Sequence, residues 1–104
     1  MNNKIATLDL SPVKARQIVA EIAEDSSRIF FSDHAEEKAA KRRITRTQIL
    51  KCLRYGHLTE NPYRDIYGDW RVTLETVSAG DPITAVAAIK KNKKGEIILI
   101  ITAY

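Results

Sequence analysis

The residue types able to do chemistry are few: His34, His57, Cys52, Arg71, the hydroxyls of Thr102 and Tyr104, and a run of cations across residues 38–54. Imidazole titrates nearest neutrality among free side chains, so a histidine beside a labile proton can act as general acid or base. In "FFSDHAEEKAAKRRI", His34 falls in what reads as the first turn of a helix, whose positive end disfavours a charged imidazolium and leaves the ring able to accept a proton. Lys38 and Lys41 follow on the same helical stripe and set a cationic track beside the ring. The same histidine could instead donate a hydrogen bond to a neighbouring carbonyl and order the helix start. His57, just past Gly56, is a second acid or base only if the fold brings it near the first. His34, His57 and Cys52 lack the short paired spacing of a metal site, and one cysteine alone builds neither an internal disulfide nor a cysteine cage. No metal or other cofactor is therefore expected, and Cys52 reads as a small core residue.

Lys38, Lys41, Arg42, Arg43, Arg46, Lys51 and Arg54 occupy a stretch without a single acidic residue, and "KKNKK" at residues 90–94 forms a second basic patch. The total is mild, 17 Lys and Arg against 13 Asp and Glu, so distribution matters more than the net +4. Such fields attract polyanions, RNA included, without selecting a sequence. The alternative is an ordinary solvated surface.

The elements that must position these groups follow from patterning. A chain of 104 residues with 44% hydrophobic and 29% charged residues has room for one core, so residues 1–104 read as one domain. No segment approaches the roughly 18 apolar residues of a membrane span. "MNNKIATLDL" lacks the pattern of a signal peptide, and a cytoplasmic protein with no membrane partner is expected. Ser11-Pro12 starts a first helix running to about Glu24, with Ala15, Ile18, Val19, Ile22 and Ala23 at helical spacing. Ser32 caps a second helix whose apolar residues are all alanine, so contacts from elsewhere must hold it. Thr45 and Gln48 form a capping box, flanked by Ile44 and Ile49 as a staple, for a third helix ended by Gly56. After Gly56 the period becomes alternating: "RVTLETV", "PITAVAAI" and "EIILIITAY" read as strands, with "NKKG" as a hairpin loop and a weaker strand from His57 to Glu60. Three N-terminal helices followed by an antiparallel sheet of three to four strands make an α+β domain with one sheet face free for ligand contact. Strand alternation sends Thr102 and Tyr104 to one side, which Ile98 and Ile100 are expected to share.

"SDHAEEKAAKRRITRTQI", the glycine-ended helix after it and the closing "IITAY" resemble a bacterial family known only as a domain of unknown function. The resembled pattern is S-x-H-A, a basic residue four positions after the histidine, an arginine before a G-I pair, and a final T-x-Y. Ser32, His34, Ala35, Lys38, Arg42, Ile44, Thr102 and Tyr104 match it. Lys38 stands where arginine is commoner and Arg43 replaces the glycine; a bidentate phosphate contact at position 38 is thereby lost. The likeness covers roughly residues 28–104 and leaves 1–27 as an N-terminal helical extension. It implies distant kinship with the fold of barnase, EndoU, certain colicins and RelE, metal-independent ribonucleases and toxins that draw on a helical histidine and on sheet-borne arginine, threonine or tyrosine.

The resemblance implies catalytic roles for His34, Lys38, Arg42, Arg71, Thr102 and Tyr104, while Lys41, Arg43, Arg46, Lys51 and Arg54 are expected to contact RNA. The leading expectation is a RelE-like RNA-binding protein, with endoribonuclease toxin activity open to it and a small antitoxin protein as partner. The competing expectation is a noncatalytic RNA- or protein-binding accessory domain of a toxin system.

Overall fold

The computed structural model describes residues 10–104. The N-terminal stretch on which the signal-peptide reading rests lies almost entirely outside them. Ser11 accepts a hydrogen bond from the Lys14 amide at 3.1 Å and Pro12 occupies the first turn, where its missing N–H is harmless, so helix α1 is Pro12–Ala23. Its buried stripe is Ala15, Val19, Ile22 and Ala23. A 3-10 turn, Ser26–Arg28, leads into strand β1, Ile29–Phe31. Helix α2, Asp33–Lys41, is capped by Ser32 and buries only Ala35 and Ala39, whose small side chains let its backbone lie close to the sheet.

The end of α2 calls for a left-handed residue at position 43. Arg43 has φ 57°, its amide donates to Ala40 at 3.2 Å, and the Ile44 amide donates to Ala39 at 2.8 Å. These are the two hydrogen bonds of a Schellman motif, which needs a left-handed residue at position 43. Ala79, in the two-residue turn between Ser78 and Asp81, is likewise left-handed, with φ 53°. An L side chain costs about 1 kcal/mol in that region, and glycine does not incur the cost. Arg43→Gly and Ala79→Gly are each expected to raise the thermal midpoint by a few degrees. A lower midpoint would show that the arginine or the methyl group makes compensating contacts.

Helix α3, Arg46–Tyr55, has the full capping box: Thr45 accepts from the Gln48 amide at 3.1 Å, and the Gln48 side chain accepts from the Thr45 amide at 2.9 Å. Its inward stripe is Ile49, Cys52 and Leu53. Gly56 ends this helix as expected, with φ −70°, so it is not a left-handed conformation that calls for glycine here. Close approach explains it: a Cβ there would lie 2.5 Å from the Cys52 carbonyl oxygen and 2.8 Å from that of Glu75.

The last carbonyls of α3 find an unexpected donor. Arg16 of α1 donates from Nε to Gly56 O at 2.6 Å, from Nη1 to Leu53 O at 3.2 Å and from Nη2 to Arg54 O at 2.5 Å. One guanidinium thus satisfies three groups a helix end leaves orphaned and places a cation at its negative pole. Arg16→Met, which keeps the aliphatic stem, is expected to cost about 2 kcal/mol in chemical denaturation. A loss under about 0.5 kcal/mol, the usual effect of a surface change, would show that water replaces the cap.

The remaining strands are β2 (His57–Leu58), β3 (Tyr63–Arg64), β4 (Trp70–Ser78), β5 (Asp81–Asn92) and β6 (Gly95–Ala103). They form with β1 a mixed six-stranded sheet of order β1-β6-β5-β4-β2, with β3 also pairing β4. Two expectations are corrected. The sheet has six strands rather than three or four, and it is not wholly antiparallel, because β1 precedes α2 and pairs in parallel with β6 through Ile29, Phe30 and Phe31. A three-residue strand is too short to show periodicity, and "IFF" merges by eye into the helix that follows. β2, β4, β5 and β6 pair antiparallel, and a two-residue loop after Asn92 closes the last hairpin at Gly95, φ 124°.

Val72, Leu74, Ala85, Ala87, Ile98, Ile100 and Ala103 face the buried residues of the helices and make the core. Among the described residues no helix is long and apolar enough to cross a membrane.

Candidate nucleic-acid interface

The last residues of β6 do not keep the alternation of the strand. Ala87 pairs with Ile100 but Val86 pairs with Thr102, so β6 carries a bulge with Ile101 as the extra residue. The bulge puts Ala103 in the core with Ile98 and Ile100 and turns Thr102 and Tyr104 to the opposite face. The expectation that Ile98 and Ile100 share the side of Thr102 and Tyr104 is thereby corrected; simple alternation cannot reveal a one-residue insertion.

Helix α2 is fastened beside this end of β6. The Ser32 amide donates to Ile100 O at 3.0 Å and the Ser32 hydroxyl to Ile101 O at 3.2 Å. At the other end of α2 the Arg42 guanidinium lies 5.7 Å from the centroid of the Tyr104 ring, within cation–π range. Arg42, Lys38 and His34 stand at successive turns of one stripe, with His34 and Arg42 exposed and Lys38 half-buried. The stripe of α2 that carries His34, Lys38 and Arg42 thus runs beside the end of β6, and Arg42 and Tyr104 are the pair in contact. Tyr104 is exposed while its backbone exchanges two hydrogen bonds with Thr84 at 2.6 and 2.9 Å, so an open ring sits on a fixed main chain.

Arg71 is on the same sheet face, since it pairs with Ala88 and Ala88 with Leu99, but it is otherwise engaged. Its Nη2 donates to Asp65 at 3.0 Å, and its Nε is buried without a partner. Burial opposes the Asp65 charge, yet the amides of Asp69 and Tyr67 and the Arg71 guanidinium outweigh it and hold the carboxyl below its ordinary value. Arg71 thus anchors the loop of residues 65–69.

The run of cations across residues 38–54 is not one patch. Lys41, Arg42 and Arg43 project at the end of α2. Arg46 pairs with Glu36 and lies 4.3 Å over the Phe31 ring. Lys51 is exposed on α3, and Arg54, 5.3 Å over Tyr55, lies at the end of α3 where that helix meets β4 and β2. Sequence proximity had grouped charges that a helix crossing the sheet spreads apart.

His57 emerges in a row that residue spacing could not show. It pairs with Glu75, Glu75 with Thr84, and Thr84 exchanges hydrogen bonds with Tyr104, so all four project from the face without helices. His57 Nε2 is 3.8 Å from Glu75 Oε1. Three strand spacings, about 14 Å, separate it from Tyr104. Glu60, which accepts from Thr73 Oγ1 at 3.0 Å, adds a second carboxylate at that side. On the open face the carboxylates Glu60 and Glu75 lie toward β2, while the cations of α2 lie toward the end of β6. Cys52 lies beneath the sheet, donates to Leu74 O at 3.3 Å, and has its thiol pushed up to about 11 by burial, so it is no nucleophile at neutral pH.

Residues 31–104 match a family model described as Domain of unknown function (DUF4258). No curated protein and no solved structure gives a significant match.

Proposed function

The chain belongs to the DUF4258 family, a domain of unknown function, and we propose that it binds RNA along α2 and the adjoining end of β6. The observation that carries this reading is the Arg42–Tyr104 contact: an exposed aromatic face on which a base can stack, held beside a cation, with Lys38 and Lys41 on α2 and Arg43 just past its end for phosphates. The proposed kinship with the RelE-type ribonuclease fold adds chemistry to the same edge. In that chemistry a base takes the proton of a ribose 2'-OH, O2' attacks phosphorus, and the P–O5' bond breaks as O5' receives a proton. The products are a 2',3'-cyclic phosphate and a 5'-hydroxyl. His34 serves as acid or base there, and Lys38, Thr102 and Tyr104 contact the charged phosphorane. A toxin neutralised by a small antitoxin is the biological setting this reading favours.

The position of His57 favours a second reading. His57 stands about 14 Å from Tyr104 and cannot complete an acid–base pair at that edge, as a noncatalytic RNA-binding module would tolerate.

RNA binding is tested by charge reversal. Lys38→Glu, Lys41→Glu and Arg42→Glu together are expected to weaken binding to a single-stranded RNA at least tenfold at low salt and to flatten its salt dependence. Lys91→Glu, Lys93→Glu and Lys94→Glu, the same change of net charge at the distant hairpin, should have a much smaller effect. Equal losses would mean that only overall charge matters. Growth arrest on expression, abolished by His34→Ala, would favour the toxin over the binding module.

A further inference from the structure

A hollow of about 680 Å³ opens on the helix-bearing side of the sheet, between the start of α1 and the start of β4. Five residues of β5, about 17 Å, separate its floor at Ile89 from the Thr84 row that holds Tyr104, so it is distinct from the RNA edge. Its walls are apolar: Leu10 and Ile18 from the α1 side, Trp70 and Ile89 from the sheet. Its rim is basic. Asp69 is neutralised by Lys90 at 2.6 Å, which leaves Glu96 as the other acid, while Lys14 and Lys91 make no ion pair among the described residues. The Arg64 guanidinium lies 4.9 Å over the Trp70 ring and adds positive charge to that wall. The N-terminus of α1, a twelve-residue helix, opens at the same place and favours negative charge. Its volume falls in the range of small-molecule sites, which combine apolar walls with a few placed charges.

We infer that this hollow binds a small aromatic anion, with its ring against Trp70 and its negative group between Lys14 and Lys91. An apolar ligand would make no use of Lys14 and Lys91, and a bare phosphate would leave the Trp70 wall unused. The edge at Arg42 has no part in this, so the inference stands or falls apart from RNA binding.

Trp70 is the single tryptophan, so its indole N–H gives one unambiguous NMR signal. Titrating the full chain with naphthalene-1-sulfonate should move that signal and the Lys14 and Ile89 amides saturably, with sub-millimolar affinity as expected for a ligand of this size. Naphthalene-1-methanol and inorganic phosphate should each bind about tenfold more weakly or worse. Lys14→Glu with Lys91→Glu should weaken the sulfonate by about tenfold, whereas Lys41→Glu with Lys51→Glu, an equal change of charge far from the hollow, should not. An indole signal that does not move, an alcohol that binds as well as the sulfonate, or equal losses in the two double variants would each overturn the assignment.

Discussion

Gly56→Ala is expected to destabilise the protein by about 3 kcal/mol or more, lowering the thermal midpoint by on the order of 15 °C. The added methyl would meet two backbone oxygens, those of Cys52 and Glu75, and neither can swing aside as a side-chain tip could. Relief requires Gly56 to shift away from the Cys52 carbonyl and from β4 together, which disrupts the Gly56–Cys52 hydrogen bond at 2.8 Å and the Arg16 cap on the same residue. The backbone conformation itself, φ −70°, suits any residue, so a conformational account predicts a change of only a few tenths of a kcal/mol, in favour of alanine. Chemical denaturation of the variant separates the two accounts, and a midpoint at or above the parent's would refute the close-approach account.

His34→Ala is expected to reduce RNA cleavage by a factor on the order of 10² to 10⁴, the usual worth of a general acid or base. His34 is exposed in the first turn of α2, and the Ser32 cap that holds this turn uses the Ser32 hydroxyl and the Ala35 amide, not the imidazole. Folding and RNA affinity should therefore be nearly unchanged. His57→Ala should leave cleavage within a few-fold of the parent, since its carboxylate neighbour Glu75 and its distance from Tyr104 place it outside the proposed RNA edge. The assay reads product ends, and a 2',3'-cyclic phosphate is the expected one. If the parent itself leaves RNA intact, the noncatalytic module is the correct reading.

Local signals in the chain anticipated the helices well. Ser11-Pro12, Ser32 and the Thr45–Gln48 box act through hydrogen bonds within four residues, and each starts the helix it was expected to start. The three long strands and the loop before Gly95 were legible for the same reason, because alternation and turn chemistry are local. Features made by distant partners were hidden. β1 is a strand only because β6 lies beside it, β3 has two residues and pairs only at the start of β4, and Arg16 meets α3 forty positions on. The bulge at Ile101 carries no composition signal, yet it decides which face Thr102 and Tyr104 occupy.

The site was legible in its parts and not in its arrangement. Arg42 and Tyr104 meet, and the Ser32 contacts fasten the start of α2, which carries His34, to the end of β6. Arg71 stands on the open face, but Asp65, a residue without any motif, engages its guanidinium. Glu75 and Thr84 entered the open-face row only through cross-strand register.

The most direct test of the central claim is to map amide and side-chain NMR shifts while titrating a short single-stranded RNA into the protein at low salt. RNA binding at the α2–β6 edge requires the largest shifts at Ser32, His34, Lys38, Arg42, Thr102 and the Tyr104 ring, with little change at His57, Glu60 and Glu75. Shifts centred on the hairpin of residues 90–95, or no saturable shift at the Tyr104 ring, would contradict it.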